Sequence, residues 1–146
     1  MPSAKIGPGR PLMVADVATS TRMRLVRQKG TTPELQVRKL VSALGVRYRV
    51  GPKSLPGRPD LANVSSGWAI FVHGCFWHSH KGCSLATVPK KNRDWWVEKL
   101  RGNVERDARK EAQLRALRLR VLVVWQCDLR DPAKLTKKLA RFLRVR

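Results

Sequence analysis

Acidic side chains are scarce in this chain. Ten Asp and Glu stand against 31 Lys and Arg in 146 residues, a formal net charge of +21. Most cations therefore have no acid to pair with, which excludes a charge-balanced surface. So much positive charge repels itself in a compact chain, and a polyanionic partner is the natural reason to keep it. Nucleic acid is the first such partner, with an affinity that falls steeply with salt as counterions are released. An anionic membrane surface is the second. Long apolar runs are missing too: none approaches the roughly 20 residues of a membrane helix. Pro11-Leu12-Met13-Val14-Ala15 is short, stops at Asp16 and is not read as a secretory signal. Cysteine numbers only three, an odd count that fits metal ligation better than a disulfide framework in a chain without export signals. The expected compartment is the cytoplasm.

What remains is unevenly placed. All three histidines and two of the three cysteines lie within Val72-His73-Gly74-Cys75-Phe76-Trp77-His78-Ser79-His80-Lys81-Gly82-Cys83. The rest reads as one α/β domain. Residues 1–18 form a flexible basic arm, and residues 19–146 are a single domain. Thr31-Thr32-Pro33-Glu34 starts a helix, with Thr three residues before Glu and Pro in the first turn. Val37, Leu40, Val41 and Leu44 follow helical spacing, and Gly45 stops it. Capping alone would account for Glu34. Val46, Tyr48 and Val50 alternate with arginines, the pattern of a half-buried strand. Leu61 to Val64 follows Asp60, and the turn Ser65-Ser66-Gly67 leads into Trp68-Ala69-Ile70-Phe71-Val72, a continuous apolar run expected of a central strand. A long helix runs from Asn92 through Trp95, Trp96, Leu100, Val104, Leu114 and Leu117, with Gly102 expected to kink or interrupt it. Val121 to Trp125 is a second buried strand, and Asp131-Pro132 opens a last helix on Leu135, Leu139 and Leu143. The order predicts a mixed central sheet flanked by helices.

Cys75, His80 and Cys83 are spaced to wrap one ion but leave a tetrahedron one ligand short. Cys127 follows a predicted central strand and can close the site if that strand neighbours the one ending at Val72. A Cys₃His site closed by protein ligands is a structural zinc pattern. Either His73 or His78 could instead replace His80. Asp60 follows the rigid Gly57-Arg58-Pro59 turn. In so basic a chain it is either salt-bridged or a ligand for a hard cation such as Mg²⁺. Phosphodiester cleavage needs such a cation and a base, and a histidine suits the base role. Pro59-Asp60 resembles the first half of the metal-nuclease signature; the acidic-x-Lys second half is absent. Phe76-Trp77 is either core or an aromatic wedge that enters a base stack.

Four blocks together resemble the very short patch repair (Vsr) DNA mismatch endonucleases. They are Leu55-Pro56-Gly57-Arg58-Pro59-Asp60, His73-Gly74-Cys75-Phe76-Trp77-His78, Asn103-Val104-Glu105-Arg106-Asp107, and Val121 to Trp125 with Cys127. The resemblance implies a fold similar to type II restriction endonucleases. It implies an enzyme that nicks one DNA strand 5′ to the thymine of a T:G mismatch left by deaminated 5-methylcytosine. It makes Asp60 the Mg²⁺ ligand with the Val72 carbonyl, His78 the general base with His73 in support, and Glu34 an active-site acid. It makes Cys75, His80, Cys83 and Cys127 the zinc ligands, and Met23, Phe76 and Trp77 the intercalating wedge. Asn103 and Asp107 match supporting or DNA-facing positions. It further implies double-stranded DNA as partner, contacts with mismatch-repair proteins, no membrane, a monomer, and a bacterial, nucleoid-associated location. A nuclease of the same chemistry for other mismatches or junctions, and a non-catalytic zinc-containing nucleic-acid binder, are the competing readings.

Overall fold

The computed structural model describes residues 31–145. The basic arm at 1–18 and Met23 lie outside the described residues. Helix α1 spans Thr32–Ala43. Its start is fixed by Thr31, whose Oγ1 accepts the Glu34 N–H at 3.4 Å, with Pro33 in the first turn where a missing N–H costs nothing. Strand β1 is only Arg49–Val50, and both residues are exposed. The half-buried strand expected from Val46 is therefore shorter. Val46 and Tyr48 still pack against the core, but before the ladder begins. Strand β2 is Leu61–Asn63 and β3 is Trp68–His73. The turn between them is closed by the Ser66 N–H on Asn63 Oδ1 and the Gly67 N–H on the Val64 carbonyl.

Helix α2 runs unbroken over Arg93–Ala116. Gly102 does not interrupt it. Val104 and Leu117, which helical spacing put on the apolar face, are exposed; Trp96, Leu100 and Leu114 are the buried positions. Strand β4 is Arg120–Trp125, and a 3₁₀ turn at Gln126–Arg130 leads to α3, Pro132–Leu143. Asp131 caps α3 by accepting the Lys134 N–H at 3.1 Å.

The sheet order is β1-β2-β3-β4, antiparallel up to β3 and parallel between β3 and β4. Side-chain alternation splits the core into two faces. Leu61, Trp68, Ile70 and Val124 join Val37 and Val41 of α1 and Leu135, Leu139 and Leu143 of α3. Ala62, Ala69 and Phe71 meet Leu55, Leu114 and Leu119 on the α2 side. The mixed α/β architecture expected from the sequence is the one observed. Each fully buried aliphatic side chain adds about 1.5–3 kcal/mol to this three-layer sandwich.

Two consequences place the site. The β3–β4 register ends at His73↔Trp125, so the chain leaves both parallel strands at one sheet edge. His73 and Trp125 also continue the alternation of Phe71 and Val123, which turns both toward α2. Nearby, Gly57 has φ +73°, and a Cβ on it would stand 2.6 Å from Cβ and Cγ of Lys110 on α2. Only glycine lets this turn pass so close to the helix. Gly57→Ala adds a left-handed penalty to a backbone-proximal clash, so we expect a loss of about 1–3 kcal/mol. Urea denaturation checks this, and Lys110→Ala in the same chain should restore part of the loss.

Candidate active site and metal centre

The loop after β3 carries two sites. In the first, Cys75, His80, Cys83 and Cys127 present ligand atoms that all lie within 4.8 Å of one another. The parallel pairing of β3 with β4 brings Cys127 to the loop. Cys127 Sγ and His80 Nδ1 are 3.4 Å apart, near the ~3.6 Å edge of a tetrahedron with Zn–S about 2.3 Å and Zn–N about 2.0–2.1 Å. His80 therefore belongs to this cluster, and His73 and His78 do not. Its ring stacks on Trp125 at 4.1 Å and 8°, which fixes its orientation. Burial and the two neighbouring thiols push the Cys127 thiol up to about 11. The Leu85 N–H, outweighing burial with help from the other two cysteines and Arg130, lowers Cys83. Crowded thiols of this kind cannot all ionise without a cation between them. The donor set suits a closed four-coordinate metal site. The loop needs one, because between Gly74 and Trp95 only Cys75 is buried.

The second site is built on α2. His78 Nδ1 and Asp107 Oδ2 are 2.6 Å apart. A carboxylate only accepts, so Nδ1 carries a proton, and in the neutral ring it is Nε2 that has the lone pair. Burial raises the Asp107 pKa, but the His78 hydrogen bond and the charges of His73, His78 and Lys110 outweigh it and hold the carboxyl below its usual range. His73 Nε2 is 4.0 Å from Asp107 Oδ1, and its ring stacks on His78 at 3.8 Å and 4°. Burial first, then His78, lowers the His73 pKa to about 3, so the ring is neutral at pH 7. These three side chains could also be grouped as metal ligands. The stacking argues otherwise: two parallel rings point their in-plane lone pairs along parallel planes, which do not converge on one ion.

Asp60 stands at the same sheet edge, where its Oδ2 accepts the Val72 N–H at 2.6 Å. Continuing the pairing Leu61↔Ile70 by two residues puts Pro59 opposite Val72. Proline has no N–H to give the Val72 carbonyl. The edge thus offers hard oxygen donors, a carboxylate beside a carbonyl to which Pro59 has no N–H to give, of the kind a hard divalent cation requires. Glu34 is buried at the start of α1, 3.5 Å from Arg38 Nη2. Its N–H takes the capping bond, while its side chain lines a cleft of about 660 Å³ shared with Val72, Trp77, His78, Asn103 and Asp107. Lys99, Arg106 and Lys110 line the same cleft.

Asn103 donates from Nδ2 to the Trp77 carbonyl at 3.0 Å, so it holds the loop on α2. Phe76 and Trp77 are half-buried and meet Trp96 at 5.4 and 5.9 Å. The helix thus gives these aromatics a packing surface that the loop itself lacks. Sequence reasoning gave Asp107 only a supporting or DNA-facing place. Its four-residue spacing from Asn103, one helix face, was the available signal.

A basic cleft, a carboxylate at a strand end and an imidazole held by a half-buried acid are what phosphodiester hydrolysis asks of a protein. The class defined is a DNA-cutting hydrolase. The family model for DNA mismatch endonuclease Vsr matches residues 13–84. The chain is 47% identical over 121 residues to the type II nicking enzyme V.XorIIP of Xanthomonas oryzae, covering 83% of this chain and 88% of that one. It is 44% identical over 124 residues to the DNA mismatch endonuclease Vsr of Escherichia coli, covering 84% and 79%. It is 36% identical over 135 residues to the type II nicking enzyme V.NmeAIP of Neisseria meningitidis, covering 90% and 96%. The chain belongs to the Vsr family of DNA mismatch endonucleases, and its fold is restriction-endonuclease-like.

Proposed function

We propose that this endonuclease nicks one strand 5′ to the thymine of a T:G mismatch, with Mg²⁺ as cofactor and a structural Zn²⁺ in the Cys₃His cluster. The bond between His78 and Asp107, facing a basic cleft, carries this reading. His78 Nε2 takes a proton from water as it attacks the phosphorus, and the P–O bond to the 3′ oxygen breaks, that oxygen leaving as an alkoxide that takes a proton from solvent. Asp107 fixes the ring and its tautomer and stabilises the imidazolium that forms. The neutral His73 ring stacks on His78 and excludes water from its inner face. Asp60 and the Val72 carbonyl would hold Mg²⁺, which when bound polarises the scissile phosphate. Glu34 serves as a further active-site acid at the cleft wall. Phe76, Trp77 and Met23 enter the base stack, which is easiest to open at a mismatch. Asn103 keeps the Trp77 backbone in place for that step. The enzyme acts as a monomer on nucleoid DNA in a bacterial cytoplasm, alongside mismatch-repair proteins.

A panel of duplexes carrying each single mismatch, incubated with and without Mg²⁺, tests this. We expect EDTA-sensitive nicking of T:G at a rate at least about 100-fold above the matched duplex, the scale of about 2.7 kcal/mol of discrimination. Comparable nicking of several mismatches points to the broader nuclease. Binding without nicking points to a non-catalytic DNA binder.

A further inference from the structure

The outer surface of α3 is strongly basic and has no part in the cleft. Pro132–Leu143 contains no acid. Lys134, Lys137, Lys138, Arg141 and Arg144 recur at helical spacing and are all exposed. They form one stripe about 15 Å long at 1.5 Å per residue. Among the described residues, Lys138 alone of the five is ion-paired, 3.6 Å from Asp128. Asp128 and Asp131, at the start of the helix, are already bonded to the backbone N–H groups of Trp125 and Lys134. At the far end, Arg144 lies close enough to Arg120 that its charge adds to burial in lowering the Arg120 pKa.

Dipole compensation explains part of this. Cations near a helix C-terminus are favourable, which accounts for Arg141 and Arg144. Lys134 sits in the first turn, where a cation is unfavourable, and Lys137 is in the helix interior. A membrane surface is a poor fit. An interfacial helix inserts an apolar face, but Leu135, Leu139 and Leu143 are buried in the core. Phe142 lies under the Arg120 guanidinium, 5.0 Å away. What remains outside is mostly charge, with only Pro132 and Ala133 as exposed apolar residues of the helix, which suits a phosphate backbone.

Position makes the stripe separate from the cleft. Helix α3 packs on the sheet face that carries Ile70 and Val124, whereas Asp107 projects from α2 on the opposite face. None of the five stripe residues lines the cleft. We propose that the solvent face of α3 is a second, sequence-independent DNA surface through which the enzyme holds another duplex segment. Such a surface allows transfer between segments during a search without leaving DNA.

Stoichiometry tests this with matched DNA, so the outcome does not depend on the mismatch reading. The full-length protein is titrated at low salt with a duplex of about 12 base pairs, roughly 40 Å at 3.4 Å per step. Native mass spectrometry or sedimentation counts the duplexes bound. We expect two per wild-type chain and one for the K134E/K137E/R141E variant, with single-turnover nicking of a mismatched duplex within twofold of wild type. If those three residues each meet a phosphate, the second binding step has a salt slope steeper by about 0.9 × 3 ≈ 2.7 than in K134Q/K137Q/R141Q. The glutamine variant also serves if the charge reversal impairs folding, as far-UV circular dichroism would reveal. A single duplex on wild type, or two bound equally well by both variants, overturns the proposal. So does a variant whose duplex count is unchanged but which loses binding to vesicles of about 30% phosphatidylserine, a result that assigns the stripe to anionic lipid.

Discussion

Asp107→Asn should reduce single-turnover nicking by about four orders of magnitude while leaving DNA affinity within a few-fold. The size follows from what the carboxylate does. Asp107 accepts the Nδ1 proton of His78 at 2.6 Å, which leaves Nε2 free to act as base. An amide can turn its NH₂ toward Nδ1, moving the proton to Nε2 and removing the lone pair. In a Ser-His-Asp triad the same exchange lowers turnover by about 10⁴ through the wrong tautomer. The amide also removes the half-buried charge that favours the imidazolium. Volume is conserved, so Asn103 and the α2 packing are undisturbed. Rapid-quench nicking and fluorescence anisotropy separate the two readouts. Activity within tenfold of wild type would mean that His78 does not depend on Asp107 and that the base lies elsewhere.

Cys127→Ser should abolish both the bound metal and the nicking activity. Wild type is expected to carry one zinc per chain by atomic absorption, and the variant little or none. In small zinc domains the metal is worth about 10–16 kcal/mol of folding free energy. Here two apolar clusters hold the sheet and helices without it. The loss should therefore fall on the loop. We expect far-UV dichroism to be largely kept and the Trp77 and Trp96 fluorescence to change as Phe76 and Trp77 leave α2. Nicking should fall more than about 100-fold because His78 is no longer aimed. Full activity in a zinc-free variant would show that the loop holds its own shape.

Much of this was legible in the chain because the signals were local. Thr31, Pro33 and Gly45 bracket α1, and Asp131-Pro132 opens α3 where it was expected. The apolar run at Trp68 is a buried strand, while that at Val121 is a strand in which only Val124 is fully buried; their adjacency brings Cys127 to His80 as the spacing argument required. What failed depended on how elements turn against each other. The rotation of α2 is set by Trp96, Leu100 and Leu114, and it decides that Asp107 faces His78 while Val104 and Leu117 face solvent. Nothing in the helix alone distinguishes those choices. Whether Phe76-Trp77 is core or wedge is open in the sequence because its packing partner, Trp96, comes from 19 residues beyond Trp77. Gly102 was expected to break α2, but a single glycine costs only about 1 kcal/mol in a helix interior, and a helix of 24 residues absorbs it.

Mapping the cut at nucleotide resolution tests the central claim most directly. A duplex with one T:G pair and a different label on each strand is incubated with the wild-type enzyme and Mg²⁺ and resolved beside sequencing ladders. We expect one product, cut immediately 5′ to the mismatched thymine, with the guanine strand intact and the matched duplex uncut. Cleavage of both strands, or of matched DNA at a similar rate, would contradict it.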